Sequence, residues 1–315
     1  MKVSILRCDN YLKENLISSI KNLLMPFGGI EKLVGKNQRV LLKPNLLFPS
    51  PRGSAVNTDP AFVCAVAEMV LEAGAKPVIG DSPAFGKAKQ VAKSCGLLDY
   101  AKKLGVEIIE FTRPVSISLK DGAFMKKITI DRAVLEADRI INLPKLKTHQ
   151  QLGFTGAIKN TFGCVNGKRK ALMHLLLGHR EIDFGKMLID VHRAVNPALT
   201  IVDGVIAMEG AGPRKGEPKK LGLILAGENG IAVDMAIEKI IGIKFKPPYL
   251  RAVNQLGLSP GSISEIKIIG DSVEQLKVND FKFPVFYPIG FSPFRIIKSV
   301  AKDLLTKAGI LPAKS

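Results

Sequence analysis

Residues 142–174 read NLPKLKTHQQLGFTGAIKNTFGCVNGKRKALMH, with six lysines and arginines, two histidines, four glycines and no carboxylate. The acid-free run is wider still: residues 139–180 hold eight Lys/Arg and three His. A solvated protein face usually mixes signs, so such an excess points to an anion supplied from elsewhere. Lys145, Lys147 and Lys159 are the expected grips for a phosphate or carboxylate, with His149 to move a proton. A helix starting near Thr155 would aim its unpaired N–H groups at the same anion, and Gly153 and Gly156 would let the backbone approach it. His174 follows as a candidate metal ligand.

Three further motifs belong to the same chemistry. In VLLKPNLL, Lys43 and Asn45 form an anion-gripping corner, or Lys43 is an ordinary solvated lysine at a strand end. In GDSPAFG, Asp81 is either an acid/base at the rim or, with Ser82, the cap of a following helix. In IVDGVIAMEGAGPRKGEP, Asp203 and Glu209 are the carboxylates best placed for acid/base work or a divalent metal, within a glycine-rich loop.

The elements that must position these groups follow from periodicity. Residues 3–6, 40–42, 77–79, 107–111, 139–143, 199–202 and 221–226 are short apolar runs bounded by turn signals, and read as buried strands. Amphipathic stretches at 59–73, 181–195 and 229–241 read as helices; in the first, Asp59 is the N-cap, Pro60 the first helical residue and Gly74 the stop. This alternation predicts an α/β fold: a mostly parallel, Rossmann-like sheet with helices on both faces. Residues 112–137 form a small β insertion. In such sheets ligands sit outside the carboxyl ends of the strands, which selects Lys43 to Asn45, Gly80 to Ser82, Pro144 to His149, and Asp203-Gly204.

Composition narrows the partners. A net charge of +18 over 315 residues favours a small anionic ligand, nucleic acid or an anionic membrane. The absence of Trp and an aromatic content of 6% argue against a single-strand nucleic-acid binder, which needs stacking platforms. Four scattered cysteines make no metal pair and fit a reducing, cytoplasmic setting. The first residues have no long apolar core, so a secretory signal is not expected, and no apolar run reaches the ~18–20 residues of a membrane span. Residues 1–275 are expected to form the α/β domain, in one lobe or two. Residues 276–315 form a basic amphipathic tail, with Ile296, Ile297, Val300, Leu304 and Leu305 on one helical face and Arg295, Lys298 and Lys302 on the other. The tail would dock on the domain, join a homodimer or lie on an anionic membrane.

The stretches LLKPNLL, NTDPAFVCAVAEMVLEAGAKPVIGDSP, NLPKLKTH, GAIKNTFG and IVDGVIAMEGAGP resemble, in that order, a widespread family of unknown function. Some members carry an appended ferredoxin module with two 4Fe-4S clusters; this chain has no such cysteine-rich module, so no iron–sulfur cluster is expected in it. More distantly, His149-x-x-x-Gly153-Phe154-Thr155-Gly156-x-x-Lys159 is similar to a stretch of the nickel-pincer lactate racemases. There the matching histidine is an acid/base and the lysine tethers a pyridinium nucleotide cofactor. A nickel-ligating histidine lies one position beyond the place of His174. The resemblance implies a nucleotide-derived cofactor or divalent metal, and an isomerase or oxidoreductase. Two departures stand against inherited racemisation: Gly80-Asp81-Ser82 replaces the second catalytic histidine, and Lys43-Pro44-Asn45 replaces an Asp-x-Thr-Arg-Pro loop. An accessory protein for cofactor delivery or electron transfer is a further reading of the same residues.

Overall fold

The computed structural model describes residues 1–287. Among these, ten strands form one sheet: β1 (Lys2–Arg7), β2 (Arg39–Pro44), β3 (Lys76–Asp81), β4 (Glu107–Glu110), β7 (Arg139–Leu143), β8 (Lys145–His149), β9 (Gly153–Thr155), β10 (Leu199–Glu209), β11 (Glu217–Gly227) and β12 (Lys267–Gly270). Strands β5 (Pro114–Ser118) and β6 (Lys127–Asp131) pair antiparallel as the small insertion. The spatial order is β12-β1-β11-β10-β7-β2-β3-β4, with β8 on the far part of β10 and β9 on β8. Strands β4, β3, β2, β7 and β10 run parallel; β11 and β9 are antiparallel to their neighbours.

Alternation along each strand divides the core. Val40 and Leu42 pack on one face of the sheet with helices α1 (Lys13–Leu24) and α3 (Pro60–Glu72), while Leu41 faces the other cluster. Helix α2 (Ile30–Leu33), α4 (Ala88–Ser94) and α5 (Leu97–Lys103) add to the first layer. The second layer holds α6 (Arg132–Leu135), α7 (Ala157–Thr161), α9 (Glu181–Val195), α10 (Gly230–Ile241) and α11 (Pro248–Gln255), with α8 (Lys168–Leu177) at its rim. The caps expected at α3 are present: Asp59 accepts from Ala61 N, Pro60 opens the helix, and Gly74 follows it at φ +77.

Three elements depart from expectation. Residues 145–149 are a strand, not a loop, because β8 finds partners in both β10 and β9. Strand β10 runs on to Glu209, so Asp203 lies inside it; the long antiparallel β11 extends the ladder, with a shift between Gly204 and Ile206. The helix expected near Thr155 begins at Ala157, and its first N–H groups do not face a ligand. Ala157 N and Ile158 N donate to Asp234 Oδ1 (2.6 Å) and Oδ2 (3.1 Å), a carboxylate brought by α10. Gly156 is the residue that admits it, since a Cβ there would collide with Asp234 Oδ1. Gly153, at φ +84, packs against Ile243, Pro247 and Phe245. The helical tail expected over 291–308 lies outside the described residues.

Removing Asp234 strands two buried N–H donors. Asp234→Ala should therefore cost about 2–4 kcal/mol in a denaturant melt, at about 1–3 kcal/mol for each buried group left unsatisfied. A loss under about 0.5 kcal/mol, ordinary for a surface change, would contradict this role.

Candidate functional site

Strand β8 carries Lys145, Lys147 and His149 at alternate positions, so all three emerge on one side of the sheet. The two lysines are almost wholly buried, and each ammonium must find partners. Lys145 Nζ lies 2.9 Å from Asp203 Oδ2 and 2.8 Å from Tyr11 Oη. Tyr11 donates to Asp203 Oδ1 at 2.7 Å, and Asp59 N donates to Oδ2 at 2.9 Å. Lys43, at the end of β2, lies 2.9 Å from Asp81 Oδ1, and Leu46 N and Ser82 N complete that carboxylate. Lys147 has two neutral acceptors, Asn45 Oδ1 and Val56 O, both at 2.6 Å. Burial, reinforced by Lys159 and Lys145, pushes its pKa well below that of a free lysine.

Side-chain amides hold this arrangement in place. Asn45 Nδ2 donates to Asn160 Oδ1 (3.1 Å); Asn160 Nδ2 donates to Lys43 O (3.0 Å) and to Asn142 Oδ1 (2.8 Å). Asn142 in turn donates to Ala157 O (3.0 Å). The chain of amides ties the ends of β2 and β7 to α7, and α7 carries Lys159.

Lys159 differs from the other lysines. Its side chain is half-buried, its ammonium sits 4.9 Å from the centre of the Phe162 ring, and among the described residues no hydrogen bond or ion pair engages it. Dense surrounding protein, then the charges of Lys170 and Lys43, pull its pKa down to about 7, against the pull of Asp81. Lys170, on α8, donates to Ser82 O, to Ser82 Oγ at 3.0 Å and to Pro83 O at 3.5 Å. Its own pKa falls to about 8 by burial, opposed by Asp81. His149 Nδ1 accepts from Gln151 N at 3.2 Å, which leaves the ring proton on Nε2. Burial, with Lys159, His174 and Lys147 nearby, drives its pKa well below the ordinary value, so the imidazole is neutral.

The structure thus brings together Lys43, Asn45, Lys147, His149, Lys159 and Asp81, and adds Lys170, Gly163 and Tyr11, which sequence reasoning missed. Lys170 lies within the acid-free run, which is the sequence signal that marks it. Tyr11 gave no signal, being 192 residues from Asp203. Gly163 is required by the Lys43–Asp81 pair, because a Cβ would strike Asp81 Oδ1 and come within 2.7 Å of Lys43 Nζ. Asp81 is not a helix cap: α4 starts at Ala88, where Glu110 accepts from Ala88 N and Lys89 N. Asp203 and Asp81 are buried, and each accepts three hydrogen bonds, so both oxygens of each carboxylate already have a donor. Thr155 is buried opposite Lys147 in the β8–β9 register.

The donors for a metal do not converge. His174 is packed between Phe184 (4.5 Å between ring centres) and Phe162 (5.8 Å), and burial lowers its pKa to about 3. Glu209 accepts from Lys282 N at 3.0 Å, and among the described residues no three His, Cys, Asp or Glu gather as a ligand set. Among the described residues, the donors therefore do not fit a nickel site.

Buried ion pairs have a distinctive mutational signature. Asp81→Ala should cost about 3–5 kcal/mol because it strands the Lys43 ammonium, whereas the double change Lys43→Met with Asp81→Leu should recover most of that loss. Equal destabilisation by the single and double variants in urea melts would contradict the pairing.

With this geometry in place, the chain can be set beside the known proteins to which it is similar. A family model described as a domain of unknown function, DUF362, matches residues 40–239. A thylakoid-associated protein of Synechocystis sp. is 40% identical over 302 residues, covering 95% of this chain and 93% of its own. The solved lactate racemase apoprotein from Thermoanaerobacterium thermosaccharolyticum superposes with a TM-score of 0.47 at 12% identity, covering 72% of this chain; the chain spans about half (54%) of that protein. The chain belongs to the DUF362 family.

Proposed function

We propose that this protein is an enzyme acting on a small phosphorylated or carboxylated ligand, held over Lys159 at the carboxyl ends of the strands. One observation carries the reading: a half-buried lysine with no acceptor of its own among the described residues, in a centre where Lys43, Lys147 and Lys170 face the single shared carboxylate Asp81. An anion seated there supplies the missing charge. It would also meet the Nε2–H of His149, which serves as a neutral hydrogen-bond donor rather than as the base. With a pKa of about 7, Lys159 is the group able to take or give a proton at neutral pH. A bound nucleotide-derived cofactor would use the same cationic centre.

Proton linkage tests this. The folded Lys159 has a pKa of about 7, below the unfolded value of about 10.4, so its amine is charged below about pH 7 and neutral above it. An anion favours the charged form and must draw in a proton when it binds above pH 7. Phosphate affinity should fall as pH rises through 7. Calorimetry at pH 8, in two buffers of different ionisation enthalpy, should register uptake of up to one proton. Lys159→Met should lower the uptake, with Lys170 and Lys147 left to supply the remainder, and should weaken phosphate binding at least about tenfold; unaltered phosphate binding by that variant would contradict the reading.

A second reading concerns location. The Synechocystis relative is named for its association with thylakoids, and this chain's charge of +18 suits an anionic membrane surface. No helix among the described residues is long and apolar enough to cross a membrane, so attachment would be peripheral. The protein should then sediment with vesicles containing phosphatidylglycerol at low salt, but not with neutral vesicles, and should detach as salt rises. Sedimentation indifferent to lipid charge would contradict this reading.

A further inference from the structure

Helix α8 is apolar on the side that should be polar. Its inner face turns His174 onto Phe162 and Phe184 and Lys170 onto Ser82, while Met173 and Leu177 pack against the core of the second layer. A helix at the rim of a domain ordinarily puts charged residues opposite such a face. Here Arg169, Leu172 and Leu176, spaced three and then four residues apart, form one stripe that points away from the core. All three are exposed, Leu172 by 49% and Leu176 by 58%. Leu175 flanks them half-buried and outside every core cluster. Among the described helices, α8 alone exposes two large apolar side chains. A contiguous apolar patch of this kind marks a contact surface.

The charge around the leucines decides what they meet. Helix α8 carries no carboxylate, and neither does the chain from residue 139 to 180. Arg169 continues the stripe at one end. His179 and Arg180 stand exposed past the other, where Arg180 pairs with Asp183 of α9. A second copy of the chain would bring the same positive charge to the contact, against a net +18 on each. Anionic lipid headgroups attract that charge, and hydrocarbon lies beneath them. Leucines flanked by basic residues on one helical face match that order of layers.

We infer that α8 is a membrane-docking face, with Leu172 and Leu176 entering the acyl boundary of an anionic bilayer and Arg169 meeting its headgroups. The inference rests on the peripheral attachment proposed above and assigns it a face. Attachment then has a consequence for the site. Lys170 reaches Ser82 from the inner side of the same helix, so docking sets the cationic centre one helix diameter, about 10 Å, from the headgroups.

The chain has no tryptophan, so one introduced at Leu176 reports its own surroundings. Met25 is the control position: it is 70% exposed at the end of α1, whose layer covers the other face of the sheet. With phosphatidylglycerol vesicles, the emission of Leu176→Trp should shift to the blue and be quenched by brominated acyl chains, while Met25→Trp should do neither. Neutral vesicles should leave both unchanged. Leu172→Ser with Leu176→Ser should weaken sedimentation with the anionic vesicles roughly tenfold or more, since each leucine loses its apolar burial. Both side chains are exposed, so that variant should melt with the parent protein, which confirms that it is folded. If the parent sediments with these vesicles but Leu176→Trp keeps its emission in water, or the double variant binds undiminished, the docking face is overturned and the membrane reading stands. A blue shift produced by polyglutamate would give the face to an acidic protein, and one already present without vesicles would give it to this chain or a second copy; either overturns the inference. If the parent ignores anionic vesicles altogether, both readings are overturned.

Discussion

Burying a lysine ammonium in protein is costly unless an opposite charge and further hydrogen bonds replace its water. At the carboxyl ends of this sheet the fold buries Lys43, Lys145 and Lys147, and the local architecture is organised around their compensation. Two are matched by carboxylates from other elements, Asp81 from β3 and Asp203 from β10. Lys147 has only carbonyl oxygens, and burial pushes its pKa down. Once those partners are spent, no acceptor remains for Lys159 among the described residues, and its pKa falls to about 7.

The same pairing explains the glycines. Gly163 lets β3 and the end of α7 close around the Lys43–Asp81 pair, and Gly156 lets Asp234 reach the start of α7. Of the two, Gly156 reads in sequence as a ligand-approach position. In the structure both are approach positions for the protein's own carboxylates. The glycines that signal an anion cradle and those that admit an internal counter-ion are indistinguishable in one dimension, because the counter-ion comes from a distant segment.

Much of the scaffold was nonetheless legible. Strand β7 and helix α9 have the boundaries that periodicity predicts, and the Asp59-Pro60 start of α3 is local chemistry that a sequence displays directly. Polar strands were harder: KLKTH has the alternation of a strand but no apolar residues on one face, since that face is lined by buried cations. The convergence of His149, Lys147 and Lys159 followed from the acid-free run. The roles of Asp81 and Asp203 did not, because a carboxylate's availability depends on donors such as Tyr11 and Lys43, which are far away in sequence. His174 lies one position short of the ligand spacing, and its ring packs against Phe162 and Phe184.

The central claim is that Lys159 is an amine left uncompensated by its fold and completed by an anion. Its reactivity can be read directly by competitive acetylation across a pH series, with the extent of modification at each lysine measured by mass spectrometry. The account predicts that Lys159 titrates near pH 7, and that phosphate both shields it and moves its titration upward. A Lys159 that titrates with the surface lysines near pH 10.4, indifferent to phosphate, would contradict it.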